Sequence, residues 1–340
     1  MPRSSPIDGI SRRGLLQGSA LALATAALTG GMPRGALAGP DKVRVTDGGP
    51  GSAGAIWRPL IDAAPPALPG GAAIEWVKGA PGQVQLQLAS GAANISVYGA
   101  LGAAELTLKG GNVVILGPAL NNHGRWIVRD NSGIRSLKDL AGKTIATQHE
   151  ASDTYRHAHL AAKLNGFDLK ADAKLVFGSP TANIALFDRG DVDAVITIEP
   201  TATRLIARGA REIARTSDLW RQATNDSAPL FLVGLAADRQ WADDNRALVA
   251  AYVNTLVAIN RRIRKDPASL AGLHKEFGIP DSERAAIELL PKRLPDIYGT
   301  DWNKAVFDNI DRQIDEAVKV GILPKRPGRP VYDSHISVSG

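Results

Sequence analysis

The chain has 340 residues, of which 44% are hydrophobic, and its 40 Lys and Arg against 34 Asp and Glu give a formal net charge of +6. Residues 1–38 hold four arginines and one aspartate, so only +3 remains for the rest, too little to indicate nucleic-acid or anionic-membrane binding. The absence of cysteine excludes disulfides, thiol catalysis and a lipidated N-terminal Cys.

Residues 1–38 have the features of a twin-arginine signal peptide. Arg12 and Arg13 precede a segment rich in Ala and Leu, which ends in the small residues Ala-Leu-Ala. A membrane anchor needs about 20 apolar residues, and Gln17 is one of several polar residues that interrupt the run. We therefore predict export to the periplasm, cleavage near Ala38, and a mature chain that does not span a membrane.

The first part of the mature chain alternates between short apolar runs and helical patterns. The runs predict strands at 42–46, 73–77, 94–98 and 112–116, and the periodic segments between them predict helices at 55–64, 83–90 and 103–109. This order is typical of parallel βαβ units, in which ligands bind at the carboxyl ends of the strands. The candidate residues at those ends are Gly48, Gly49, Ser52, Tyr98 and Gly99.

The central part repeats this pattern, with strands predicted at 125–129, 143–147, 174–177 and 193–198. Ser152 is a predicted N-cap, so that Asp153 and Thr154 fall in the first turn of a helix. The free N–H groups of such a turn favour an anion or a polar group. His123 and His149 also fall at strand ends, and we expect them to donate hydrogen bonds to the ligand.

The last third is mainly helical. After a polar stretch at 216–228, a buried strand is predicted at 230–235. Helices are predicted at 238–265 (one or two), 266–277, 281–290 and 302–320, and residues 326–340 are expected to form an irregular tail.

Two phrases in the centre of the chain resemble a known family. SLKDLAGKTIAT begins at Ser136, and LFDRGDVDAVITIEP runs from Leu186 to Pro200. Both are similar to phrases of the periplasmic solute-binding proteins of ABC importers, in the subgroup that carries nitrate, sulphonates and taurine. The resemblance covers roughly residues 41–325. Asn94 stands where the family usually has Asp.

The resemblance implies an α/β, two-lobe periplasmic binding protein type II fold, in which each lobe is a mixed sheet flanked by helices. Lobe 1 is expected to comprise 39–125 and 228–325, and lobe 2 to comprise 126–227. The lobes are expected to close by hinges near 124–130 and 224–230. The implied partners of a monomer are a small solute, an ABC permease and its ATPase.

The predicted ligand is a small organic anion, such as a sulphonate or carboxylate, held in the cleft without being transformed. Glu199 follows the strand at 193–198 and completes the candidate site. The candidate site residues are Gly48, Gly49, Ser52, Tyr98, Gly99, His123, His149, Ser152, Asp153, Thr154 and Glu199. Because the candidate site also contains carboxylates, a neutral, amine-bearing or pyrimidine-like solute is an alternative ligand. No metal-binding motif is present and no cofactor is expected. The sequence is also compatible with an exported enzyme or a ligand-sensing domain on the same scaffold.

Overall fold

The computed structural model describes residues 40–338, so the predicted signal peptide lies outside the described part of the chain. Ten strands occur within these residues: β1 (Lys42–Asp47), β2 (Ala73–Lys78), β3 (Ser96–Tyr98), β4 (Val113–Asn121), β5 (Arg125–Val128), β6 (Thr144–Thr147), β7 (Lys174–Phe177), β8 (Ala194–Thr197), β9 (Arg211–Arg215) and β10 (Phe231–Asp238).

Lobe 1 is built on β1 to β4 and β10. Strands β1 and β2 pair in parallel, with Lys42 opposite Ala73. A single parallel bridge between Val45 and Ile95 joins β1 to the segment before β3. Strand β10 lies between β3 and β4 and is antiparallel to both. The strands of this lobe therefore combine parallel and antiparallel pairing.

Lobe 2 contains one five-stranded sheet in the order β7-β6-β8-β5-β9. Strand β6 is parallel to β7 and β8, whereas β5 is antiparallel to β8 and β9. The chain enters this lobe between β4 and β5 and leaves it before β10. Lobe 2 thus has a mixed sheet, whereas the parallel and antiparallel pairs of lobe 1 lie in two sheets, β1-β2 and β3-β10-β4, which the Val45–Ile95 bridge joins. The two predicted crossovers are present.

Thirteen α-helices flank the sheets within residues 40–338. They are α1 (Trp57–Ala63), α2 (Gln83–Ala89), α3 (Ala100–Leu108), α4 (Asp153–Leu164), α5 (Leu169–Asp172), α6 (Pro180–Arg189), α7 (Thr201–Ala207), α8 (Thr216–Thr224), α9 (Arg239–Asp244), α10 (Arg246–Lys265), α11 (Ser269–Gly272), α12 (Arg284–Arg293) and α13 (Lys304–Lys319). None of these helices has the length and apolar content that a membrane span requires.

The structure differs from the predicted elements in several regions, and one difference is β9, which was not predicted. The polar stretch at 216–228 contains α8, because Leu219 and Trp220 form a narrow buried face that polar neighbours obscure in the sequence. The helix predicted at 266–277 is reduced to α11 and turns. Between residues 326 and 338 the tail has no helix, as expected, but Tyr332 forms a bridge with Ile115 of β4.

Candidate functional site

A cavity of about 80 Å³ lies between the lobes, where the carboxyl end of β1 faces the start of α4. A cavity that holds a single water molecule has a volume of roughly 10–15 Å³ by the same measure. This cavity therefore has room for a small solute. The lining residues include Asp47, Gly48, Ser52, Trp57, Arg58, Trp76, Gln85, His123, Asp153, Thr154, Ile198 and Tyr252. Five of these belong to the predicted site, namely Gly48, Ser52, His123, Asp153 and Thr154.

The loop after β1 forms one wall through its own hydrogen bonds. Asp47 Oδ1 accepts from the N–H of Gly49 at 3.0 Å, and Ser52 Oγ donates to the carbonyl of Gly49 at 2.8 Å. A Cβ at Gly48 would lie only 2.9 Å from Ser52 Oγ. The loop therefore needs glycine at 48, and its polar side chains are mostly engaged within the loop itself.

Aromatic side chains form a second wall. Trp57 Nε1 donates to Asn260 at 3.0 Å, and Trp76 Nε1 donates to Asp62 at 2.8 Å. Burial raises the pKa of Tyr252 well above its ordinary value, so this phenol stays neutral. Because both indole N–H groups are already paired, the tryptophans offer the cavity apolar surface.

The start of α4 forms the wall contributed by lobe 2. Ser152 is the N-cap, and its Oγ accepts from the N–H of Tyr155 at 3.2 Å, which confirms the predicted cap. Asp153 and Thr154 occupy the first turn and line the cavity. The first-turn N–H groups of a helix lack partners inside the helix, so this end can receive an acceptor.

Asp153 is 1% exposed and lies against the start of α3. A Cβ at Gly99 or Gly102 would come within 2.8 Å of its Oδ1, so only glycine leaves space for this carboxylate. Its nearest cationic or donor groups are Gln85 Nε2 at 3.4 Å and Arg156 Nη1 at 3.9 Å. Oδ1 is buried without a hydrogen-bond partner among the described residues.

His123 is 1% exposed and its two ring nitrogens differ. Nδ1 lies 2.8 Å from the carbonyl of Asn121, which only accepts, so Nδ1 carries the proton and donates. Burial lowers the pKa of His123 to about 4, which leaves the ring neutral at pH 7. Nε2 is then an acceptor, and it has no partner among residues 40–338. The donor role predicted for His123 is wrong for this tautomer.

Comparison with known proteins decides the family. The sequence profile described as "ABC transporter, phosphonate, periplasmic substrate-binding protein" matches residues 56–271, more than half of the chain. The chain belongs to this family. Because its members are transport components that bind substrates, the prediction that the protein is not an enzyme is confirmed. The family also places it in the periplasm. No curated protein matches the chain in sequence.

Solved structures with similar folds include two alkanesulfonate-binding proteins. SsuA from Xanthomonas axonopodis pv. citri, bound to MOPS, is 21% identical with a TM-score of 0.70, covering 87% of this chain and 99% of that one. SsuA from Escherichia coli is also 21% identical, with a TM-score of 0.59 and coverage of 85% and 95%. At this identity the likeness concerns the fold, and the predicted two-lobe binding-protein fold is confirmed.

Glu199 of this substrate-binding protein lies outside the cavity lining, in a buried group that we call the Glu199 cluster: Arg125, Glu199, Glu212 and Arg293. Glu199 Oε1 accepts from Arg293 Nη2 at 2.6 Å, and Oε2 accepts from the N–H and hydroxyl of Thr203 at 2.9 and 2.6 Å. Both oxygens are therefore occupied by protein groups. The predicted position of Glu199 near the start of a helix is confirmed.

The other carboxylate of the Glu199 cluster is also paired. Glu212 accepts from Arg293 Nη2 at 2.9 Å and lies 3.4 Å from Arg125 Nε. Burial alone would raise the pKa of Glu212, but hydrogen bonds from Arg215 and Arg293 outweigh it and lower the pKa. Since Arg293 belongs to α12 and its two acceptors belong to lobe 2, the cluster fixes α12 against that lobe.

Five further residues of the predicted site are not part of the cavity lining: Gly49, Tyr98, Gly99, His149 and Ser152. Tyr98 donates to the carbonyl of Gln85 at 3.0 Å, and Ser152 caps α4, so both support lining residues. His149 borders a separate surface groove, where its Nδ1 accepts from the N–H of Ala151 at 3.1 Å. Their direct contact with ligand stays a prediction.

Most lining residues were not among the predicted site residues; they include Arg58, Trp76, Gln85 and Tyr252. Gln85 is one of three alternating glutamines in α2, and it alone is buried, at 4% exposure. Burial therefore distinguishes it from Gln83 and Gln87. Arg58 is the single Lys or Arg of the lining within the described residues.

Direct contacts close the lobes over the cavity. Thr201 Oγ1 donates to the carbonyl of Gly51 at 2.9 Å. Glu283 accepts from Arg204 Nη2 at 2.6 Å and from Arg208 Nη2 at 2.7 Å, which links the segment before α12 to α7. The hydrogen bond from Arg204 is the main reason that the pKa of Glu283 is lowered. The two lobes are thus in direct contact beside the cavity.

Proposed function

We propose that this substrate-binding protein captures a small organic anion, of sulphonate, phosphonate or carboxylate type, and delivers it to an ABC permease driven by a cytoplasmic ATPase. The observation that carries the proposal is the cavity enclosed by strand-end and helix-start residues of both lobes. Ligands of open α/β sheets bind at such edges. The family match and the two sulfonate-binding structural neighbours support the ligand class.

Two groups are suited to hold the acid. Thr154 presents its hydroxyl and first-turn N–H at the start of α4, where the helix dipole favours negative charge. Arg58 lies on the opposite wall, with its guanidinium 3.3 Å from Asp47 and 3.4 Å from Asp62. These distances are longer than those of strong charge-assisted hydrogen bonds. We therefore expect Arg58 to exchange part of this pairing for a bound acid.

Closure is proposed to follow the two predicted hinges near 124–130 and 224–230. Asn122 donates its N–H to the carbonyl of Leu230 at 2.7 Å, so the two crossover segments run side by side. A rotation about adjacent segments separates the lobes with little change inside either one. Binding then favours the closed form because the solute contacts both lobes only there.

Export is proposed to use the twin-arginine signal at residues 1–38, with cleavage near Ala38 and release of a monomer. A ligand-sensing domain is the competing hypothesis from another functional class. Uptake of the ligand by cells that carry the protein with its permease separates the two, because a sensor alone supports no uptake.

The ligand class is tested by a thermal-shift screen of the mature protein against sulphonates, phosphonates, carboxylates and nitrate. A compound present at 100 times its Kd adds about 2.7 kcal/mol to the free energy of unfolding. We expect at least one acid to raise the melting temperature. Thermal shifts from neutral compounds only would refute the anion.

Two variants test the cavity as the binding site. Thr154→Leu adds apolar bulk at the second position of α4 and is expected to abolish the shift. Thr181→Leu is the matched control, because Thr181 holds the second position of α6, which is also in lobe 2, and is exposed. If Thr154→Leu binds as tightly as the control, the proposed site is wrong.

A further inference from the structure

A second and larger groove lies against the two crossover segments. Its volume is about 560 Å³, on the same scale that gives about 80 Å³ for the cavity. The groove is lined in part by residues 118–122 and 227–231, and we call it the crossover groove. Leu120 is the one described residue that lines both spaces, so the groove and the cavity are separate sites.

The lining of the crossover groove contains six cationic side chains and two acidic ones. The cations are Arg125, Arg215, Arg221, Arg264, Lys292 and Arg293, and the acids are Asp296 and Asp301, which are both exposed. The first three cations belong to lobe 2 and the other three to lobe 1. We propose that the crossover groove is a second binding site, which takes a multiply charged anion that bears phosphate or carboxylate groups.

The Glu199 cluster presents its arginines to this groove and not its carboxylates. Arg125 and Arg293 are lining residues, whereas Glu199 and Glu212 are not. Glu212 also accepts from Arg215 Nε at 2.5 Å, so three arginines of the groove wall share two glutamates. This part of the wall therefore has one positive charge that the two carboxylates do not balance.

Arg125 is a buried cation whose hydrogen bonds are incomplete. It is 7% exposed, and its only hydrogen bond within residues 40–338 runs from Nη1 to the carbonyl of Gly124 at 3.4 Å. Nε is buried without a hydrogen-bond partner among these residues, and it lies 3.3 Å from Glu199 and 3.4 Å from Glu212. Since a guanidinium has five N–H donors, Arg125 has donors left for an anion in the groove.

The wall contributed by lobe 1 adds two cations without acidic partners. Arg264 Nη1 donates to the neutral hydroxyl of Thr300 at 3.0 Å, and Lys292 is exposed and forms no ion pair within the described residues. Guanidinium groups match the planar arrangement of carboxylate and phosphate oxygens. An anion with several charged groups can contact the cations of both lobes together, which a singly charged anion cannot do.

Two helices also begin at the crossover groove. Ser217 holds the second position of α8, and Asn303 is the N-cap of α13; both are lining residues. The N-terminal end of a helix favours negative charge. These helix ends therefore add to the preference that the cations of the groove establish.

Calorimetric titration of the mature protein at constant ionic strength tests the site. The probes are pyrophosphate paired with phosphate, and citrate paired with acetate, so each pair compares a more highly charged anion with a smaller one of the same chemistry. We expect pyrophosphate or citrate to bind at least tenfold more tightly than its partner. The pair that shows this preference identifies phosphate or carboxylate as the recognised group. Equal binding within both pairs, or no binding of pyrophosphate and citrate, overturns the inference.

The double variant Arg264→Gln and Lys292→Gln assigns the binding to the groove. Neither residue belongs to the Glu199 cluster, so we expect the variant to fold and to bind the preferred anion at least tenfold more weakly. Arg262→Gln with Lys265→Gln is the matched control, because it removes the same charges from exposed residues of α10 that do not line the groove. Equal affinities of the two double variants would refute the assignment.

Thr154→Leu separates this inference from the proposed function. It alters the cavity and not the groove, so it should leave the affinity for pyrophosphate or citrate unchanged. A loss of that binding in Thr154→Leu would place the anion in the cavity and overturn the inference. Failure of every acid in the thermal-shift screen to bind in the cavity would leave the groove unaffected, because its cations are not part of the cavity lining apart from that result.

Discussion

Asp153 and Glu199 are two buried acidic residues of the same lobe with opposite hydrogen-bond patterns. Glu199 is 0% exposed and both its oxygens accept from Arg293 or Thr203. Asp153 is 1% exposed, yet its Oδ1 has no partner within residues 40–338. Depth of burial therefore does not separate a cavity-lining residue from a structural group in this protein. The completeness of pairing does.

The two regions also differ in what they connect. The Glu199 cluster joins α12 of lobe 1 to Glu199 and Glu212 of lobe 2 by short ion pairs. Asp153 lies between α3 and α4 with glycines at 99 and 102 to make room for it. The first region is thus a paired contact of the fold, and the second is part of the cavity lining.

The largest expected effect is on the framework. Glu199→Ala leaves Arg293 and Arg125 buried without their main partner and is expected to lower the free energy of unfolding by about 3–5 kcal/mol. Asp153→Asn is expected to lower it by at most about 1 kcal/mol, the scale of helix-dipole interactions. Denaturant unfolding of both variants checks the difference. Comparable losses would erase the distinction between the two regions.

The second effect is the pH dependence that arises from His123. Its pKa is about 4 in the folded protein and about 6.5 when unfolded. The unfolded state therefore takes up the proton first, so stability falls as pH decreases from about 6.5 to 4, by about 3 kcal/mol in total. His123→Gln removes this part of the pH dependence, and denaturant unfolding at several pH values measures it. The same slope in the variant and the wild type would contradict a neutral buried His123.

The third effect concerns the space around Asp153. In Gly99→Ala the new Cβ would lie 2.4 Å from the carbonyl oxygen of Leu232 and 2.7 Å from Asp153 Cγ. Overpacking of this kind costs about 1–3 kcal/mol. Gly133→Ala, at a site without close neighbours and without a positive φ, is the control for loss of glycine alone. Gly99→Ala should also weaken ligand binding, whereas the control should not, as calorimetry will show.

The smallest effect concerns closure. Glu283→Gln weakens the pairing with Arg204 and Arg208 between the lobes, whose side chains are 12–38% exposed. An ion pair near the protein surface is worth about 1 kcal/mol or less. We expect up to about a fivefold rise in Kd with little change in stability. Asp188→Asn removes the ion pair between Asp188 and Arg208, which lies within lobe 2. This control should leave Kd unchanged. Equal Kd values for the two variants would exclude a role of Glu283 in closure.

Much of the fold follows from local sequence patterns. Ser152 and Asp153 mark the start of α4 because capping and first-turn preferences depend on neighbouring residues. The alternation of strands and helices, with the family phrases, predicted the two lobes. Helix α8 was missed because its burial depends on Leu219 and Trp220 packing against distant parts of the chain.

The hydrogen-bond pairing that distinguishes Glu199 from Asp153 is not visible in the sequence. Glu199 and Arg293 are 94 residues apart, so nothing local indicates that Glu199 is occupied. The lining by Arg58, Trp76 and Gln85 likewise depends on how β1, β2 and α2 pack together. Local pattern placed residues at strand ends, and long-range packing decided which of them face the cavity.

Tryptophan fluorescence during titration with propanesulfonate and propylphosphonate tests the central claim most directly. Trp57 and Trp76 line the cavity, whereas Trp241 does not. Binding should change the emission of the wild-type protein and of Trp241→Phe, and the change should be lost in the double variant Trp57→Phe and Trp76→Phe. An undiminished change in the double variant, or no change with either compound in the wild type, would contradict capture of a small organic acid between the lobes.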